Sequence, residues 1–219
     1  LCLALLFGPL KLYKKLILFF MILLFMSAML FSGTRGGFVL VPICMVLLLV
    51  MCFNKKVFIF SSVAGVILAL IILAPTQNLV LKRFQSAFQP NNDASFNVRA
   101  QNQAFIQPYI RSHPIGGGLG SVGVWAIRFS PNSPLAKFPP DSGYVRVAVE
   151  LGYIGLLLFC TLIFTVLYTG INNFYLIRNP ELRNYCLAMV LVVFTFNIGN
   201  FPQQAIVQFP SNILFYLAI

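Results

Sequence analysis

The stretch LILFFMILLFMSAMLF, residues 16–31, holds no charge, no glycine and no proline. As a helix rising ~1.5 Å per residue it covers most of a ~30 Å hydrocarbon core. A membrane-spanning strand is excluded, because such strands alternate at period two over only ~10 residues. Upstream, Lys11, Lys14 and Lys15 follow a Gly8-Pro9 break. A secretory signal places its charge before its apolar run, so residues 1–10 read instead as the tail of an earlier span.

Downstream the same pattern recurs. Span one, Leu16 to Phe31, gives way to the tight break SGTRGG (Ser32–Gly37), and span two runs from Phe38 to Phe53, ending at Asn54-Lys55-Lys56. Span three covers Val57–Ala74, span four Val145–Gly170 and span five Tyr185–Ile198, with a short GNFPQQ break before a final apolar stretch at Ile213–Ile219. The chain opens at Leu1 and closes inside an apolar run, which reads as a fragment cut through spans at both ends. The expected organisation is 1–74 as membrane spans, 75–144 as one long loop, and 145–219 as further spans.

Composition agrees with this pattern. With 59% hydrophobic and 9% charged residues, the chain cannot cover a water-facing surface, for which about 25% charge is usual. It is expected to be an all-α, polytopic helical integral membrane protein with about five to six spans. The net charge of +11 would suggest nucleic acid in a soluble protein. Here seven basic residues (Lys11, Lys14, Lys15, Lys55, Lys56, Arg178, Arg183) fall in short loops on one side of the alternating spans, where they orient the protein with that side in the cytoplasm. No nucleic-acid partner is expected. The five cysteines lie inside apolar runs without a CxxC, so neither a disulfide nor a metal site follows from them.

The 70-residue loop Pro75–Tyr144 then faces outward with six basic and two acidic residues. A loop of that length in a compact membrane protein is usually functional. Within it, Ala104, Phe105, Tyr109 and Ile110 recur at helical spacing, which predicts a surface helix over 98–110 that Pro108 would bend. The following HPIGGGLG, His113–Gly120, is irregular, and its glycines offer backbone N–H groups to whatever approaches.

Three constellations carry possible chemistry. Arg35, set among small residues at a span end, is either a snorkelling interfacial arginine or a guanidinium open to phosphate oxygens. Arg99 with the glycines after it suits a phosphate or pyrophosphate, or the glycines form a plain turn. Asp141, in PPDSGY where the chain re-enters the membrane, can cap span four, act as a general base, or do both. His113, the sole histidine, is an anion or sugar contact or a structural hydrogen-bond donor, and Trp125 is an interfacial anchor or a sugar-stacking surface. Arg146 and Glu150 are spaced for an i,i+4 pair. Gly152 and Gly155 are expected to let a neighbouring helix approach. No GxxxxGK[ST] occurs, which argues against ATP use.

The segments SGTRGG, NVRAQNQAFIQPYIRSHPIGGGLGS and DSGYVRVAVELGYIGLL, in this order and with this topology, resemble the bacterial O-antigen ligase and O-antigen polymerase superfamily over roughly residues 16–164. The resemblance implies a GT-C-like membrane enzyme of the inner membrane. Such an enzyme takes a glycan from undecaprenyl pyrophosphate at the periplasmic face and passes it to another glycan or to the lipid A core. It implies that Arg35 and Arg99 hold the pyrophosphate and that Asp141 is catalytic, standing where ligases carry a histidine in a His-Asn/Ser-x-x-Leu pattern. That departure shifts the reading toward a polymerase. His113, Gly117, Gly118, Gly120 and Tyr144 are the expected substrate-binding residues. No cofactor and no metal are expected, since the donor already carries a good leaving group and acidic residues number four in all. The rival readings are a transporter or flippase for an anionic lipid-linked sugar, and a non-catalytic envelope assembly subunit.

Overall fold

The apolar runs form helices because a backbone in hydrocarbon must satisfy its own N–H and C=O groups. The computed structural model describes residues 1–32, 35–89 and 94–219, with the side chains of residues 35, 94 and 95 left aside. In chain order the elements are α1 (Cys2–Leu6), α2 (Leu12–Ser32), α3 (Arg35–Met51), α4 (Lys55–Leu73), α5 (Leu79–Ser86), α6 (Ala94–Ser112), α7 (Gly123–Phe129), α8 (Gly143–Leu176), α9 (Pro180–Gly199) and α10 (Ser211–Ala218). Among the described residues every regular element is helical. α2, α4, α8 and α9 are each long and apolar enough to cross a membrane, and the apolar part of α3 is shorter. The chain is a multi-pass helical membrane protein, as its composition predicts.

α2 shows why lipid is needed. It buries no residue, and Phe20 and Leu24 are 67% and 59% exposed. Such surface costs roughly 25 cal/mol per Å² in water and nothing of the kind in hydrocarbon.

The chain divides into two compact units, residues 1–93 with 167–195 and 218–219, and residues 94–166 with 196–217. The first unit packs Ala4, Leu48, Met51, Val57, Phe174, Leu187 and Leu191 into its core. Its α5 is an element that hydropathy alone does not reveal. Asn78 caps it by accepting a hydrogen bond from the Val80 N–H at 2.9 Å. The Gln85 amide donates to the Ile71 and Ala74 carbonyls at 2.8 and 2.7 Å, closing the end of α4. Phe84 packs on Phe38 with ring centroids 4.9 Å apart.

The second unit is built on Ile106, Val122, Leu135, Phe138 and Val149. Its α6 is longer than the helix predicted over 98–110 and is turned differently. Phe105 is 69% exposed and Ala104 is exposed, while the buried position is Ile106, with Tyr109 and Ile110 packed beside it. The spacing argument weighs apolar residues alike and so misses that a proline and several amides share the stripe.

α8 departs further from the sequence reading. Its backbone breaks at Gly152, with φ 68° and ψ −164°. The atoms nearest to Gly152 belong to the HPIGGG turn and not to a neighbouring helix. The Gly117 and Gly118 N–H groups donate to the Val149 and Glu150 carbonyls at 2.8 and 2.9 Å, and Tyr153 N–H donates to the Pro114 carbonyl at 2.9 Å. A break inside a span frees carbonyls that lipid cannot satisfy, and the turn satisfies them. The approach is close enough to demand glycine on both sides. A Cβ at Gly152 would stand 2.1 Å from the Pro114 oxygen, and one at Gly116 2.5 Å from the Glu150 oxygen.

Candidate active site

The second unit encloses a cleft of about 180 Å³. One stripe of α6, Phe96, Arg99, Ala100 and Gln103, forms a wall, spaced i, i+3, i+4, i+7 as one helix face requires. Asn102 lines it too, and Phe138-Pro139, Asp141-Ser142 and Phe201-Pro202 supply the remainder. The fold therefore brings together Arg99 and Asp141, which are 42 residues apart in sequence.

The two charges are held differently. Arg99 is half-buried and makes no hydrogen bond or ion pair with any described residue, so its five donors remain available. Asp141, also half-buried, accepts one hydrogen bond at Oδ2, from the Asn102 amide at 3.0 Å, and Oδ1 has no partner among the described residues. Among the described residues its carboxylate takes no backbone N–H of α8. It is not acting as the helix cap that its position suggests.

The turn carrying Asp141 is fixed on both sides by the loop after α9. On one side, the Gln204 amide nitrogen donates to the Pro140 carbonyl. The Gln204 side-chain oxygen in turn accepts from the Arg146 guanidinium at 2.8 Å. Arg146 also bonds Glu150 at 3.2 Å, the pair predicted from spacing. On the other side, the Asn200 carbonyl accepts from the Gly143 N–H at 3.0 Å and the Ser142 hydroxyl at 3.3 Å. Asn200 is wholly buried, and its side-chain oxygen accepts from the Ile206 N–H at 3.1 Å. This leaves Asp141 on a braced backbone with one oxygen that has no partner among the described residues.

The other predicted site residues lie elsewhere. His113 stacks on Tyr109 with centroids 4.0 Å apart, and its Nδ1 lies 2.9 Å from the Ser112 hydroxyl and 3.1 Å from the Tyr109 carbonyl at the end of α6. The backbone donors of Gly117 and Gly118 are engaged by α8 and are not open to an anion. Gly120 has φ 73° and sits against Trp125. Tyr144 hydrogen-bonds Asn197, 3.1 Å from its carbonyl, between the rings of Phe159 and Phe201. None of these five residues lines the cleft. Arg35 is the first residue of α3 in the first unit, and Gly33 and Thr34 of its motif lie outside the described residues.

Asn102, Asn200 and Gln204 are the residues that motif reading passes over. Their signal was present in the amide-rich QNQ and NFPQQ segments, which are costly polar groups to hold near a membrane unless they bond something.

The fold and the cleft define a multi-pass helical membrane protein with a guanidinium and a carboxylate facing one half-buried space. Residues 18–160, more than half of the chain, match the family described as O-antigen ligase. The chain belongs to that family. It is thereby a glycosyltransferase-type membrane enzyme of polysaccharide biosynthesis, working on lipid-linked glycans in the bilayer. Neither the curated proteins nor the solved structures contain a match to it.

Proposed function

We propose that the protein transfers a glycan from undecaprenyl pyrophosphate to an acceptor hydroxyl at the periplasmic face of the bacterial inner membrane, and that the cleft of the second unit is where transfer occurs. The observation that carries this reading is the Arg99 guanidinium, without a partner among the described residues, and the half-buried Asp141 carboxylate on one cleft. In the reaction, the acceptor oxygen bonds to the anomeric carbon as the bond from that carbon to the pyrophosphate oxygen breaks. The hydroxyl proton passes to Asp141 Oδ1, and undecaprenyl pyrophosphate leaves.

Arg99 meets the charge that develops on the departing phosphate, a bidentate task suited to guanidinium. Arg35 is proposed as a pyrophosphate contact on the resemblance of its SGTRGG motif alone, its side chain lying outside what the structure describes. Asn102 is a positioning residue, holding one oxygen of Asp141 so that the other presents its lone pair to the hydroxyl. Phe96, Phe138 and Phe201 supply apolar surface against which a sugar ring can lie. At about 180 Å³ the cleft is smaller than the ~300 Å³ lower end of drug-sized pockets, which suits the reacting end of a long substrate. Cations at the phosphate and a carboxylate at the hydroxyl perform these tasks without a metal. Asp141 in place of a histidine favours chain polymerisation over transfer to lipid A core.

Glycan analysis of a deletion strain tests the reading. Single repeat units accumulating on the periplasmic lipid carrier are the expected result. Finished polymer left on the carrier would show a ligase, and lipid-linked units trapped in the cytoplasm would overturn transfer in favour of a flippase. In the same strain, Arg99→Ala restoring full transfer would remove Arg99 from the site.

A further inference from the structure

The first unit holds a second and larger cavity, of about 790 Å³, which takes no part in the chemistry above. Lys55, Lys56 and Arg183 line it, and no Asp or Glu does. Its floor reaches the buried core at Val57, Phe174 and Leu187, and its open apolar surface comes from Phe53 and Tyr175, 78% and 64% exposed. The cavity lies where helices end. α3 stops at Met51, α4 starts at Lys55, α8 stops at Leu176 and α9 starts at Pro180. For helices that cross a membrane, such ends mark the level of the lipid headgroups.

Lys55 and Lys56 make no hydrogen bond or ion pair with any described residue. Arg183 is held against the wall, its guanidinium carbon 5.3 Å from the centre of the Phe174 ring, which fixes its planar fork beside apolar surface. Lysines that merely orient the chain would need only water around them. Three exposed cations instead rim one cavity with no acid in its lining, so an anion seated there meets all three.

We propose that this cavity binds the phosphate headgroup of an anionic membrane phospholipid, with an acyl chain lying along Phe53 and Tyr175. The phosphodiester supplies charge to Lys55, Lys56 and Arg183, and the chain fills the apolar side that a free anion would leave empty.

Native mass spectrometry of the full chain in detergent tests this, titrating phosphatidylglycerol, phosphatidylcholine of the same acyl chains, and inorganic phosphate. One phosphatidylglycerol is retained, with phosphatidylcholine bound at least about tenfold more weakly. Replacing two cations in Lys56→Gln/Arg183→Gln weakens phosphatidylglycerol about thirtyfold, and Lys56→Arg retains it. Equal binding of the two lipids, or no loss in the double variant, overturns the proposal. Inorganic phosphate binding as tightly as the lipid overturns the assignment to lipid. If the double variant does not fold, the ratios measured on the unaltered chain decide the matter.

Discussion

The two cavities of this protein are lined by opposite logics. The cleft beside α6 sets one guanidinium and one carboxylate among aromatic rings, with the carboxylate held by the Asn102 amide and its turn fixed by Gln204 and the Asn200 backbone. The cavity at the ends of α3, α4, α8 and α9 has three cations, no carboxylate and no bracing of its lysines. Chemistry that moves a proton needs a base whose lone pair is held in direction, because a small misplacement is costly. A site that only holds a phosphate needs charge and an apolar wall, and mobile lysines serve it well. The difference in rigidity, more than in charge, separates the proposed working site from the proposed resting place of a lipid.

Substitutions can break that comparison in graded steps. Asp141→Asn keeps the Asn102 contact geometry but removes the base, so transfer measured with a lipid-linked donor falls ~10²–10⁴-fold while donor binding persists. Arg99→Ala removes a charge-stabilising group and lowers transfer ~10²–10³-fold. If Asp141→Asn left turnover normal, the contrast between the cavities would lose its chemical meaning. Gly152→Ala places a methyl group against the Pro114 carbonyl at positive φ and should cost about 2–4 kcal/mol, read as a lowered unfolding temperature in detergent. Asn102→Ala leaves Asp141 in place but unsteered. Losing a hydrogen bond to a charged group corresponds to about ten- to a hundredfold in turnover, with the donor KM unchanged. Lys56→Gln, at the other cavity, should leave transfer in detergent within about twofold, as surface charge changes usually do. A large loss there would mean the two cavities are not separate in function.

Much of the architecture is legible in the residues themselves. Runs such as 16–31 and 57–74 leave a helix as the only solution in hydrocarbon, and Lys55-Lys56 marks where one must end. The i,i+4 spacing of Arg146 and Glu150 likewise states its own pairing. What resists reading is whatever depends on residues far apart. Gly152 sits in an apolar run where it resembles a helix-packing glycine, and only the arrival of Pro114–Gly118 shows it to be a break. Its partner glycines invite a phosphate on sequence, yet two of their N–H groups are occupied by α8. Asp141 stands out as one of four acidic residues, but its brace comes from Gln204 and Asn200, about 60 positions away. The amides of NFPQQ stand out as polar groups near a membrane, but an amide has no periodicity that says which distant turn it holds.

The latch between the HPIGGG turn and α8 has a consequence for how the protein would look in exchange with heavy water. Gly117 and Gly118 lie on an exposed surface loop, where backbone amides ordinarily lose protection within the fastest openings. Theirs are tied to the carbonyls of a spanning helix. They should retain their hydrogens as long as α8 does, an island of slow exchange in a loop whose composition suggests a swinging lid.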